Sequence, residues 1–214
     1  MKIAFEEYGG VFSTAHANDK SAAADAVVLL HAFPLNRRMW HPQIETVLSS
    51  GFRLILPDLR GLGESSCPSD ANAMSDMARD VAGLLDNLRI EKAVVGGLSM
   101  GGYVAFSLYR LFPEKFAALV LADTQAAADT DEKRQARISL ISEIEKRGAT
   151  ALHELMLPNL ISDYTKENQP ELVEEIKAII NGVNPSAAVA ALRGLAERDD
   201  HRDLLSSISV PTLL

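Results

Sequence analysis

The stretch VVGGLSMGGYVAF, residues 94–106, runs from an apolar segment into a cluster of glycines with Ser99 at its centre. A serine flanked at two residues by Gly97 and Gly101 is placed where it has the least steric company. Val94 and Val95 suit the end of a buried strand, and the residues after Ser99 suit a helix that Pro113 stops. Strand, sharp turn and helix together form a nucleophile elbow, in which a strained serine projects above a sheet. A side chain at either flanking position would collide with the strand or the helix, so both must be glycine. The first turn of the helix offers unpaired N–H groups at the same spot, where an oxyanion would be stabilised. Two other glycine-loop readings fail on single residues. A dinucleotide fingerprint from Gly96 needs glycine where Leu98 stands, and a phosphate loop from Gly97 needs lysine where Tyr103 stands.

Outward from this turn, short apolar runs recur at 27–31, 52–56, 92–95, 117–122 and 210–214. Their length and continuity suit strands buried on both faces of a parallel sheet. Between them lies a helical pattern, best marked by Met74, Met77, Val81, Leu84, Leu85 and Leu88. Strand and helix in alternation predict an α/β fold, a doubly wound and mostly parallel sheet with helices on both faces. Over 129–197 the rhythm changes to four helical stretches near 130–147, 149–156, 170–181 and 185–197, broken at Gly148, Pro158, Pro170 and Asn184-Pro185. We read this as a helical cap inserted into a core formed by 1–128 and 198–214. Residues 11–26, small and polar, read as a mobile loop.

Bulk properties agree with a globular chain. At 214 residues, 47% hydrophobic and 23% charged, it is long enough for one sizeable core. A net charge of −8 argues against a nucleic-acid or anionic-membrane partner. With Cys67 as its one cysteine the chain forms no internal disulfide, which fits a reducing, cytoplasmic location. No signal-peptide pattern, membrane-length apolar run or metal-ligand spacing stands out, and no cofactor is implied.

Four segments in order, VVLLHAFPLN, LPDLRGLGES, VVGGLSMGGYVAF and VLADTQAAADT, resemble the α/β-hydrolase family, in particular its small esterase, enol-lactonase and perhydrolase-like branch. The resemblance implies Ser99 as nucleophile and the backbone N–H groups of Met100 and Phe33 as oxyanion-hole donors. Ala32 stands where the family usually carries glycine. Asp58, Arg60, Gly61, Gly63 and Ser65 match a structural loop, and His31 matches a histidine that shapes the oxyanion loop. Serine rather than aspartate at the nucleophile position implies acyl transfer, not haloalkane or epoxide chemistry. The implied substrate is a small carboxylic ester or lactone, attacked to form an acyl-enzyme.

Serine needs a base, and the base needs a carboxylate to orient it. In the family both follow the strand matched here by SVPTLL, so the resemblance implies a chain truncated by roughly fifty residues on usual element lengths. The triad acid and histidine are then expected beyond residue 214, and the sheet lacks its last strands and helix. Within the chain, His16, His41 and His201 read as solvated, and His153 as a surface residue of the cap. Asp123 reads as structural and Cys67 as a bystander near the site. Met156, Leu157, Leu160, Tyr164 and Leu192 fit pocket walls and cap packing equally well. The alternative is an inactive fragment that binds ligands weakly, or that assembles with another copy or with the missing C-terminal segment. Either way an apolar face and an open sheet edge are expected to be exposed.

Overall fold

The computed structural model describes residues 1–9, 26–67 and 72–214. The loop expected over 11–26 and His16 fall outside the described residues, apart from Ala26. Six strands form one sheet: β1 (Phe5–Tyr8), β2 (Ala26–Leu30), β3 (Arg53–Pro57), β4 (Ala93–Leu98), β5 (Phe116–Ala122) and β6 (Thr212–Leu213). They lie in the order β1-β3-β2-β4-β5-β6. β1 is antiparallel to β3, and every other pairing is parallel. The chain belongs to the α/β class that the alternation of patterns predicts.

β2 shows why a continuous apolar run makes a central strand. Its alternate residues serve two cores: Ala26, Val28 and Leu30 pack in the larger one, while Val27 and Leu29 pack in a smaller one with Leu54 and Leu56 of β3. Helix α1 (Ile44–Ser49) covers the smaller core through Ile44 and Val47. Helices α2 (Met74–Asn87) and α3 (Met100–Leu111) cover the larger one. The stripe Met74, Met77, Val81, Leu84 and Leu85 is buried along α2, as its spacing requires.

Five helices follow β5: α4 (Asp131–Arg147), α5 (Ala149–Leu160), α6 (Asp163–Asn168), α7 (Pro170–Asn181) and α8 (Pro185–Ala196). Four were expected. The short α6 carries no buried residue, so no apolar stripe marks it in the sequence; its start is fixed by Ser162, whose hydroxyl accepts the Thr165 N–H. α5 runs two residues past Pro158, because a proline near a helix end removes one bond from the last turn only. β1 was also missed. Two of its four residues are glutamates, and it lies at the sheet edge, where an acidic strand is tolerated. β6 departs in another way: both its residues are exposed, whereas β2 is buried throughout.

Candidate active site

Ser99 sits between the last residue of β4 and the first of α3 with φ +51° and ψ −110°. A non-glycine residue rarely holds a positive φ, and here the backbone is pinned from both sides. The Ser99 N–H donates to the Ala122 carbonyl at 3.0 Å. Its carbonyl accepts the N–H groups of Gly102 (3.0 Å) and Tyr103 (3.2 Å) and the Thr124 hydroxyl (2.9 Å). The glycines at 97 and 101 make this turn possible. A Cβ on Gly97 would overlap the Gly101 backbone, and one on Gly101 would overlap the carbonyl of Leu30 in β2. The collision argued from sequence is therefore real on both the helix and the strand side.

A serine at a helix N-cap ordinarily turns its hydroxyl back onto the first turn. Ser99 makes no such bond, so its half-buried Oγ is not consumed by the helix. β2 and β4 pair in parallel with Leu30 opposite Gly97, which brings Phe33 and Ser99 out at the same end of adjacent strands. The neighbouring N–H of Ala32 is taken by the Met39 sulfur at 3.3 Å. The N–H groups of Phe33 and Met100 have no partner among the described residues. The Met100 N–H lies in the open first turn of α3, where helix geometry leaves N–H groups unpaired and the dipole favours negative charge. The three residues singled out from sequence thus gather at one sheet end: an uncommitted hydroxyl and two unspent backbone donors.

A polar framework holds the Phe33 loop. His31, fully buried, accepts the Leu59 N–H on Nε2 at 2.8 Å, so Nδ1 carries the proton and faces the Ala32 carbonyl at 3.0 Å. Burial pushes its pKa below the ordinary histidine value and keeps the ring neutral. Asp58, also fully buried, accepts the N–H groups of Arg37 (2.9 Å) and Glu64 (2.8 Å), and ion-pairs with the Arg37 guanidinium. Its carbonyl accepts the Ser65 hydroxyl at 2.7 Å, and that hydroxyl in turn accepts the Ala4 N–H at 2.9 Å. Arg60 reaches Asp80 of α2 at 2.7 Å. Arg37 is the member that sequence reasoning missed, since nothing local in PLNRRMW distinguishes it from its neighbour Arg38.

The remaining candidates scatter. His41 lies in a 3-10 stretch, Arg37–Gln43, and pairs with Glu6 at 2.8 Å. His153 is half-buried in α5. His201 corrects the expectation of a surface loop: it is 3% exposed. Its Nδ1 accepts from Arg110 Nε at 3.1 Å, its Nε2 meets the Ser107 hydroxyl at 3.2 Å, and its ring stacks on Phe106. The charged neighbours in RDDHRD hide this burial, because Arg110 pairs with Asp203 and folds the segment onto α3. Asp123 follows β5 at φ +40° with its side chain exposed, one register step from Ser99. Among the described residues no histidine hydrogen bonds to Ser99. Cys67 is exposed, near Asn72.

Of the apolar residues weighed as pocket walls, Leu157 and Leu192 are buried and Met156 and Leu160 half-buried. Tyr164 is 68% exposed on α6. A cleft of about 240 Å³ lies between Asn36–Arg38, Gly63–Glu64 and the C-terminal end of α7, and neither Ser99, Met100 nor Phe33 lines it. Among the described residues no cluster of side chains could hold a metal ion, and no helix is long and apolar enough to cross a membrane.

The sequence model of the family described as "alpha/beta hydrolase fold" matches residues 25–175. Acinetobacter baylyi 3-oxoadipate enol-lactonase 2 is 30% identical over 199 residues, covering 93% of this chain and 73% of the lactonase. An epoxide hydrolase of Caballeronia sordidicola is 36% identical over 102 residues, 47% of this chain and 31% of that protein. The solved structure of a thermophilic esterase from Thermogutta terrifontis is 40% identical with a TM-score of 0.85, covering 98% of this chain and 72% of the esterase.

Proposed function

The chain belongs to the α/β-hydrolase fold family, and on that premise we propose that it carries the nucleophile and oxyanion hole of a serine hydrolase acting on small carboxylic esters or lactones. The observation that carries this reading is Ser99 itself, held at φ +51° with its hydroxyl unused as a cap, beside two unspent N–H groups. Ser99 Oγ attacks the substrate carbonyl carbon as its proton passes to a base. The carbonyl oxygen becomes an oxyanion that accepts from Met100 and Phe33 N–H. Collapse of the tetrahedral intermediate expels the alkoxide, which takes up the proton, and leaves an ester on Ser99. Water then adds to that ester by the same route and releases the acid. The likeness to an enol-lactonase and an esterase supports both substrate classes.

No described histidine hydrogen bonds to Ser99, and His31, His41 and His201 are bonded to other groups. Helices α4–α8 act as the cap over the site. Epoxide opening, suggested by the partial match to an epoxide hydrolase, is disfavoured by chemistry. Serine attack on an epoxide carbon would leave an ether on the enzyme, which water does not cleave under these conditions. A carboxylate would leave a hydrolysable ester, but Ser99 occupies that position.

The test is labelling of this chain by a fluorophosphonate together with turnover of nitrophenyl acetate. We expect a covalent mass increase that Ser99→Ala abolishes and Ser107→Ala preserves. Labelling that survives Ser99→Ala would overturn the assignment. Labelling without turnover would show that Ser99 is activated and that release of the acyl group is what this chain lacks, whereas no labelling would identify the inactive fragment, since loss of triad members ordinarily costs orders of magnitude in rate.

A further inference from the structure

The five helices α4–α8 leave the sheet after β5 and return before β6, and both connecting segments pass through one buried knot of charge. Asp129, on the outgoing segment, ion-pairs through Oδ1 with Arg198, on the returning one. Both side chains are almost completely buried, at 1% and 2% exposure. Arg198 Nη2 also donates to the Ala127 carbonyl at 2.7 Å, and Arg137 of α4 donates from Nε to Asp129 Oδ2 at 2.5 Å. Two further bonds flank the knot: Arg134 Nε of α4 to the Ala196 carbonyl at the end of α8 at 3.0 Å, and, between the two segments, His201 N–H to the Ala126 carbonyl at 2.7 Å. The guanidinium face of Arg198 lies 4.1 Å from the ring centre of Tyr103. Tyr103 is on α3, and its N–H is bonded to the Ser99 carbonyl.

We propose that Asp129 and Arg198 are positioning residues that lock α4–α8 onto α3, the helix that follows Ser99, and thereby set which acyl chains reach that serine. The second half of this statement rests on the reading of Ser99 as nucleophile. A buried ion pair is a poor source of net stability, since desolvating two charges offsets their attraction. What it supplies is geometry. Arg198 must offer one edge to a carboxylate, another to a carbonyl and its face to an aromatic ring, and a single placement of the two segments satisfies all three. Burial alone would raise the Asp129 carboxyl, yet hydrogen bonds from Arg137 and Arg198 hold it below the ordinary aspartate value, so the clamp keeps its charge at neutral pH. A lysine at 198 has no planar fork and no flat face to stack, so it would not reproduce the arrangement.

The test is hydrogen exchange of the full chain, read by mass spectrometry, for wild type, Asp129→Asn, Arg198→Lys and the apolar double variant Asp129→Leu/Arg198→Met. The double variant removes both fully buried charges at once and leaves only the 22% exposed Arg137 side chain, which can turn to water, without its carboxylate, so it spares the fold where a single change strands a buried charge. We expect amide exchange across α4–α8 to rise at least tenfold in all three variants while β2, β4 and α2 keep their protection. We also expect the ratio of Ser99 labelling rates by long- and short-chain fluorophosphonates to change at least threefold. Faster exchange spread evenly over the molecule would reduce the pair to ordinary stability and overturn the proposal. Wild-type protection of α4–α8 in the double variant would overturn it too. Failure of the wild-type chain to label at Ser99 would instead sink the nucleophile reading, and with it the selectivity half, while the exchange pattern still decides the clamp.

Discussion

At Gly101 the helix start of α3 comes so close to β2 that a single methyl group would overlap the Leu30 carbonyl. Backbone on both sides leaves no flexible atom to yield, so Gly101→Ala must part helix from sheet. Overpacking of this kind costs about 3 kcal/mol or more, a fall in melting temperature on the order of 10 °C for a domain of this size. Gly83, in the middle of α2, has no atom within 4 Å of its would-be Cβ. Gly83→Ala should therefore raise stability by about 0.5–1 kcal/mol, because alanine loses less backbone entropy than glycine in a helix. Thermal denaturation of the two variants side by side checks both signs. Equal effects would mean that close approach at the elbow does not explain its glycine. Both glycines were visible in the sequence, but their opposite roles were not. The motif marks Gly101, whereas only tertiary contacts show that Gly83 faces open space.

At the level of elements, two buried histidines tie helices and loops to the sheet in their neutral forms. His31 fixes the turn between β2 and the Phe33 loop; His201 fixes the segment before β6 onto α3. Burial lowers the pKa of each in the folded state, and for His201 the neighbouring Arg110 charge adds to it. The unfolded chain, with histidine near about 6.5, binds protons where the folded chain does not. Stability from these groups is thus complete above about pH 6.5 and is lost progressively as pH falls below it. Melting temperature should drop between about pH 7 and pH 5, and His201→Gln should flatten that slope while lowering stability at neutral pH. A slope unchanged by the substitution would show that His201 does not carry it. From sequence alone His201 read as a solvated residue among charges. The charges lie nearby in sequence, but the packing that buries the ring comes from Phe106, Ser107 and Arg110, more than ninety residues away.

On the scale of the molecule, the sheet is covered unevenly. Around β2 and β3 both faces are buried, whereas Val94, Ala118 and Val120 on β4 and β5 are only half-buried. β6 closes the sheet order, and its Leu213 and the following Leu214 are 64% and 91% exposed. An exposed apolar edge with unpaired backbone groups is a template for another strand. This chain should therefore self-associate with rising concentration, and Leu213→Lys, which charges the edge, should suppress that association in sedimentation velocity. A wild-type chain that stays a compact monomer over a hundredfold concentration range would contradict this.

Sequence by itself determined the five parallel strands in their main span, the stripe of α2, and the strand–turn–helix that carries Ser99. These were legible because an elbow needs glycines at fixed spacing and a central strand needs apolar residues on both faces. The acidic edge strand β1 and the polar helix α6 carry little such pattern, since water satisfies the faces they leave uncovered. Tertiary structure alone decided the rest. It set Phe33 and Ser99 at the same end of adjacent strands, buried His201, and joined Asp129 to Arg198 across 69 residues of chain. A charged residue looks solvated in sequence until its partner arrives from elsewhere in the fold, because the pairing that permits its burial leaves no mark on its neighbours in the chain.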